Sequence, residues 1–278
     1  MSGCPTPCAH PSTLAAVTDS TPYIVAVCSL LGLVIGSFLN VVIWRVPRKE
    51  SIVRPGSQCP SCERELTPVE NIPVVSWLAL RARCRGCGAK ISPRYPLVEL
   101  GCAVLFGVIA SQYADSWVLP AYLVFTAAGL ALSIIDLEHF LLPNRIVYPL
   151  SVAMVPLLVL AALGDDDWKG LVRAVVGGFA AFLFMFIVHV IYPRGMGFGD
   201  VKLSWTLGLV LGWLSLGVVF LGLFLGFVLG AVIGLVLVVV TKAGRKTRVP
   251  FGPFLFAGTF IALLWGQSIL DWYLGASN

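Results

Sequence analysis

From residue 23 to residue 273 the chain is a succession of apolar runs separated by short polar breaks, and that patterning leaves few folds open to it. The runs cover Tyr23–Trp44, Leu97–Gln112, Val118–Ile135, Ile146–Leu163, Leu171–Ile191, Leu203–Val240 and Phe254–Tyr273. Most lie near the length, about 20 residues, that a helix needs to cross about 30 Å of hydrocarbon. Leu203–Val240 is too long for one helix, and a split near Trp213–Leu216 gives a short span followed by a long one. Hydrophobic residues make up 58% of the chain and charged residues 12%, with a mean hydropathy of +0.91. The expected fold is an all-α polytopic membrane protein with about eight transmembrane helices.

Charge placement orients these spans. With the N-terminus outside, the inner loops are Arg45–Pro96, Asp136–Arg145, Tyr192–Lys202 and Thr241–Pro250, and they hold 17 of the 19 Lys and Arg residues. Only Lys169 and Arg173 fall near outer loops, which carry Asp115 and Asp165–Asp167 instead. Such a bias sets membrane orientation. The net charge of +5 therefore reports topology and some attraction to anionic headgroups, not a nucleic-acid partner. Residues 1–22 lack Lys and Arg, so they read as an extracytoplasmic tail and not as a secretory signal. Cys4 and Cys8 in that tail read as incidental thiols.

Two aspartates stand where apolar runs meet loops: Asp136 in Ile-Ile-Asp-Leu-Glu, and Asp200 in Gly-Met-Gly-Phe-Gly-Asp-Val-Lys. A carboxylate near hydrocarbon costs about 2.5–3.5 kcal/mol on insertion scales, which makes an ionisable residue there a functional candidate. One aspartate at a helix end is often a cap. Two on the same membrane face, with Gly195, Gly197 and Gly199 clearing side chains beside the second, suggest a proton-sharing pair open to a peptide. His139 reads as a loop residue beside this pair and His189 as a core residue, while the glycines from Gly217 to Gly234 mark close helix packing.

The hydrophilic block 45–96 carries Cys59-Pro-Ser-Cys62 and Cys84-Arg-Gly-Cys87. Two such knuckles supply the four thiolates of a closed tetrahedral zinc site, and Gly86 and Gly88 permit the tight turns around it. A reducing cytosol disfavours disulfides there, and a loop this short needs the metal in place of a core. The organisation expected is a tail (1–22), a first transmembrane helix (23–44), a small cytosolic zinc-binding domain (45–96) between the first two spans, and a transmembrane core (97–278).

Taken in order, several segments resemble one known family. They are Gly36-Ser-Phe-Leu-Asn40-Val-Val-Ile-Trp-Arg45, the two knuckles with Asn71-Ile-Pro between them, and Ile91-Ser-Pro-Arg94-Tyr-Pro-Leu-Val-Glu99. Asp136-Leu-Glu-His-Phe-Leu-Leu-Pro143, Gly197-Phe-Gly-Asp200-Val-Lys202 and Pro250-Phe-Gly-Pro253 follow. This succession resembles the bifunctional prepilin peptidases, membrane aspartic proteases of the Gly-x-Gly-Asp type. The resemblance implies cleavage of the basic leader of type IV prepilins or type II secretion pseudopilins at the cytosolic face of the bacterial inner membrane. It also implies methylation of the new N-terminus with S-adenosylmethionine. Asp136 and Asp200 would be the catalytic pair, Cys59, Cys62, Cys84 and Cys87 the zinc ligands, and Gly36, Asn40, Arg94 and Glu99 the cofactor-binding positions. Many members read Leu-Pro-Asp where this chain has Leu142-Pro143-Asn144, so no third carboxylate acts there.

In the mechanism expected, one aspartate acts on water as a base and the other polarises the carbonyl, while Glu63, Glu65, Glu70 and Glu138 offer charge to the basic leader. The rival from another class is an ion-coupled transporter with Asp136 and Asp200 as a proton relay. Transporters tend to show internal repeats and acids near the bilayer midplane, whereas these acids lie at its edge. A non-catalytic zinc scaffold leaves both acids unexplained.

Overall fold

The computed structural model describes residues 20–193, 196–241 and 250–275. Cys4, Cys8, Gly195 and the cations of the 241–250 loop lie outside the described residues. Helix α1 (Thr21–Arg45) leads into the polar segment, which holds a 3-10 turn (Pro68–Asn71) and the short α2 (Val75–Ala79). Then follow α3 (Arg94–Tyr113), α4 (Leu119–His139), α5 (Asn144–Gly164) and α6 (Trp168–Ile191). The chain finishes with α7 (Phe198–Leu214), α8 (Leu216–Thr241) and α9 (Gly252–Tyr273). No sheet forms among the described residues, only two isolated bridges in the polar segment.

Seven of these helices are long and apolar enough to cross a membrane. The eighth long helix, α7, has 17 residues and so spans only about 25 Å, short of a full hydrocarbon thickness. It is also buried on most of its circumference, packed among α4, α5, α6, α8 and α9. The apolar stretch breaks at Ser215, inside the expected window. Its backbone is extended there, and its Oγ accepts the Val218 N–H to start α8.

Three close pairs organise the bundle: α1 with α3, α6 with α7, and α8 with α9, while α4 touches both α1 and α9. Lipid offers no hydrophobic drive for helices to associate, so small residues let backbones approach. A Cβ built on Gly258 would lie 2.7 Å from the Gly222 carbonyl oxygen, and one on Gly36 2.7 Å from Glu99 Cα. The expected packing role of the α8 glycines holds for Gly222, Gly226 and Gly230, whereas Gly234 faces open space. Gly258→Val is therefore expected to destabilise the protein by about 1–3 kcal/mol through overpacking. Gly101→Val, where a Cβ meets nothing within 4 Å, should leave it unchanged. Thermal unfolding of both variants in detergent measures the difference.

Candidate active site and metal centre

Asp136 sits in the last turn of α4, which closes on Phe140 in the left-handed conformation (φ 53°). The side chain is buried and does not cap its own helix. Its Oδ2 accepts the N–H of Gly252, the first residue of α9, at 3.0 Å. Asp200 lies in the first turn of α7, also buried, and its Oδ2 accepts the Gly197 N–H at 3.2 Å. Each carboxylate thus sits at the positive end of a helix dipole, α9 for Asp136 and α7 for Asp200. Leu142 links the two, since a Cβ on Gly199, next to Asp200, and one on Gly252, the donor to Asp136, would both meet its side chain. The capping role weighed for Asp200 is real, and it leaves the second oxygen, Oδ1, buried without a partner.

Leu142 packs the floor of this site. A Cβ on Gly199 would come within 3.0 Å of Leu142 Cβ, and one on Gly252 within 3.1 Å of Leu142 Cδ2 and 2.8 Å of Asp136 Oδ2. Gly252 is the contributor that sequence reasoning left without a role. The Pro250-Phe-Gly-Pro253 segment was visible as a motif, but its target lies 116 residues away. Asn144 opens α5 and accepts a hydrogen bond from Lys202 Nζ at 3.1 Å. His139 is 3.9 Å from Glu138, and His189 Nδ1 pairs with the Met196 carbonyl.

In the polar segment the sulfurs of Cys59, Cys62, Cys84 and Cys87 all lie within 4.8 Å of one another. The Cys59–Cys87 separation of 3.8 Å matches tetrahedral geometry with Zn–S bonds of about 2.3 Å. The two knuckles share one backbone pattern: Cys59 N–H donates to Arg64 O, and Cys84 N–H to Ala89 O. Glu63 N–H likewise donates to Cys59 O, and Gly88 N–H to Cys84 O. The turn residue has positive φ in both, Gly88 at 70° and Glu63 at 54°. Gly86, expected to share that role, serves another: its missing Cβ leaves room for Arg64 Nε, which a Cβ would meet at 3.0 Å. Backbone N–H groups of Cys87 and Gly86 pull the Cys84 thiol down to about 6, the state a metal ligand needs.

Behind the knuckles, Arg64 Nη2 reaches Glu70 Oε1 at 2.7 Å while the Thr67 N–H and hydroxyl donate to Oε2. The guanidinium, with Thr67, holds the Glu70 carboxyl down to about 2. Glu70, expected from the sequence to offer its charge to a basic leader, is instead committed internally to Arg64 and Thr67. Glu138 is likewise engaged, 2.8 Å from Arg94. Glu63 and Glu65 remain exposed.

A cavity of about 1020 Å³ opens between the end of α1, the start of α3 and the knuckles. Asn40, Arg94 and Glu99 line it. Asn40 donates to the Tyr95 carbonyl and keeps a buried Oδ1 without a partner. Glu99 accepts the Val74 N–H at 2.7 Å. Gly36, grouped with them from sequence, is not among the lining residues and packs against the α3 backbone.

Residues 30–113 match the bacterial peptidase A24 N-terminal domain, and residues 123–235 match the type IV leader peptidase family. The first range includes the four cysteines and the second both aspartates, while Gly252 lies beyond either. A prepilin leader peptidase/N-methyltransferase of Stutzerimonas stutzeri is 39% identical over 92% of this chain and 96% of its own. Proteins of the same name from Aeromonas hydrophila (39%, covering 88% and 92%) and Bacillus subtilis strain 168 (34%, covering 88% and 96%) are also similar. No solved structure matches the chain. These matches give the transporter reading no support and identify a multi-pass membrane enzyme. With buried acids, cysteine cluster and span pattern all inside regions of full-length similarity, the chain belongs to the type IV leader peptidase family.

Proposed function

We propose that this protein cleaves the basic leader of type IV prepilins or type II secretion pseudopilins and then N-methylates the exposed residue. The observation that carries the peptidase half is the convergence of buried Asp136 and Asp200 at the N-termini of α9 and α7. Two like charges so close in a low-dielectric site are relieved by sharing one proton. The ionised member removes a proton from water, whose oxygen attacks the scissile carbonyl carbon. The protonated member gives its proton to the carbonyl oxygen, and collapse of the tetrahedral species returns a proton to the departing amine. Asp200 Oδ1, the oxygen without a protein partner, is left for the water or the carbonyl. The charge bias of the loops favours a site facing the cytosol of a bacterial inner membrane, with the substrate's apolar helix arriving from the bilayer. Glu63 and Glu65 are the acids free to meet the basic leader.

The methyl-transfer half rests on the large cavity at the N-terminal third. Asn40, Arg94 and Glu99 would line the S-adenosylmethionine site there, with Gly36 allowing α1 and α3 to close behind it. The cofactor supplies an electrophilic methyl group on a sulfonium. The chain's own task is to hold the new amine deprotonated and away from water. Cys59, Cys62, Cys84 and Cys87 would hold one structural zinc, the four sulfurs fitting its tetrahedron.

Asp136→Asn and Asp200→Asn should each lower leader cleavage by about 10²–10⁴-fold while the protein stays folded. Gly252→Ala should lower kcat more than it raises KM, by up to about 10²-fold, because the added Cβ displaces the Asp136 carboxylate. Asn144→Ala should cleave nearly normally. Cleavage of a purified prepilin by each variant decides, and an active Asp136→Asn enzyme rules the mechanism out.

Metal analysis of purified protein should find about one zinc per chain. Cys59→Ser or Cys84→Ser should lose it and lower stability before activity.

Asp200→Asn enzyme offered a pilin already free of its leader should still transfer a labelled methyl group. Glu99→Gln should depress that transfer more than cleavage. Loss of both activities in a folded Asp200→Asn enzyme would show that the two chemistries share one site.

A further inference from the structure

We infer that the Pro68–Leu80 segment, between the two knuckles, is a monotopic insert whose outer face lies in membrane lipid beside α1 and α3. Depth is the first argument. Val74 donates its N–H to Glu99, five residues into α3, about 7 Å along that helix from its start. Asn71 and Pro73 line one cavity together with Val34 and Phe38 of α1. Val34 lies eleven residues, about 16 Å, inside the end of α1 at Arg45. The segment therefore descends alongside two spans and does not stand clear of them.

Its surface is the second argument. Val69, Ile72, Val75 and Leu78 recur every third residue, and all are exposed, Val69 by 70% and Leu78 by 62%. Phe38 and Leu97, on the membrane-facing sides of α1 and α3, are exposed in the same way, so the apolar surface of the spans continues onto the segment. Three polar side chains of the segment are satisfied within the protein, and the fourth polar residue, exposed Asn71, lines the cavity beside α1. Glu70 is held by Arg64 and Thr67, the Ser76 hydroxyl donates to Ile72 O, and Trp77 Nε1 donates to Ile91 O. Exposed Arg81, Arg83 and Arg85 follow at once, placed to meet headgroup phosphates. An amphipathic stretch with an apolar outer face and cations at its edge lies in the interface plane.

Val74 supports the same reading. A β-branched residue at φ 59° is a backbone outlier, and it persists here because the Glu99 carboxylate captures its N–H. That capture fixes how deep the segment sits.

The test uses the full chain reconstituted in vesicles, with a fluorescent non-natural amino acid at position 75 or 78 in turn. The same label goes at Leu100, on the outer surface of α3, and at exposed Ser61, on the first knuckle. Lipids brominated in the upper acyl chain should quench positions 75 and 78 to an extent comparable with Leu100 and several-fold more than Ser61. Aqueous iodide should show the reverse order. Quenching at 75 and 78 no greater than at Ser61 overturns the inference. Protection from both quenchers also overturns it, since protein and not lipid would then cover the face. Unchanged circular dichroism confirms that each labelled protein is folded.

Discussion

The hydrogen bond from the Gly252 N–H to Asp136 Oδ2 joins parts of the chain 116 residues apart, and the candidate site depends on it. A buried carboxylate is costly unless something compensates its charge. Here the compensation is a helix N-terminus, and the same device recurs where Gly197 binds Asp200. Neither helix end could reach its position without close packing. The glycine contacts of α8 with α9 and of α6 with α7 bring backbones near enough for both N-termini to arrive beside α4. The glycine-rich spans and the acids are thus one arrangement: small residues set the helix spacing, and the spacing decides which N–H groups meet which carboxylates.

The polar segment solves a different problem. It is too short to bury a core, and it connects two spans whose separation is already fixed by Gly32 and Gly36 against α3. Four converging sulfurs, the Arg64–Glu70 pair and the Glu99 contact to Val74 replace that core with polar ties. Arg94 then reaches Glu138, two residues beyond Asp136, so the segment's exit is pinned to the helix that carries the first acid. Arg94, which lines the large cavity, is thus the link between that cavity and the helix carrying Asp136.

Much of this was legible in the chain. The runs between residues 23 and 273 gave the helices, and the break at Ser215 fell inside Trp213–Leu216 because a polar residue interrupts a stretch too long for one span. The knuckle spacing pointed to four sulfurs that do converge. Asp136 and Asp200 stood out because charge is rare in apolar surroundings. Other readings failed for identifiable reasons. Glu70 looked available to a substrate because its partner, Arg64, is recognisable only once the knuckle folds back. Gly86 looked like a turn glycine, yet its partner is a side chain from the other knuckle. Gly36 was grouped with Asn40 because both match positions of the family's motif, yet on the helix Gly36 faces α3.

What the sequence determined by itself is whatever depends on local hydropathy and spacing: the positions and order of the apolar helices, their charge bias, the cysteine pairs and the two acids that stand at the ends of apolar runs. Those properties follow from the cost of moving each residue out of water, which needs no knowledge of neighbours. The tertiary structure decided how the acids are satisfied, which glutamates are committed, and that α7 is a short, buried helix among seven longer ones. These depend on which groups meet across distant segments in a low-dielectric interior. There, one backbone N–H or one missing Cβ changes the outcome, and neither is encoded at the position it serves.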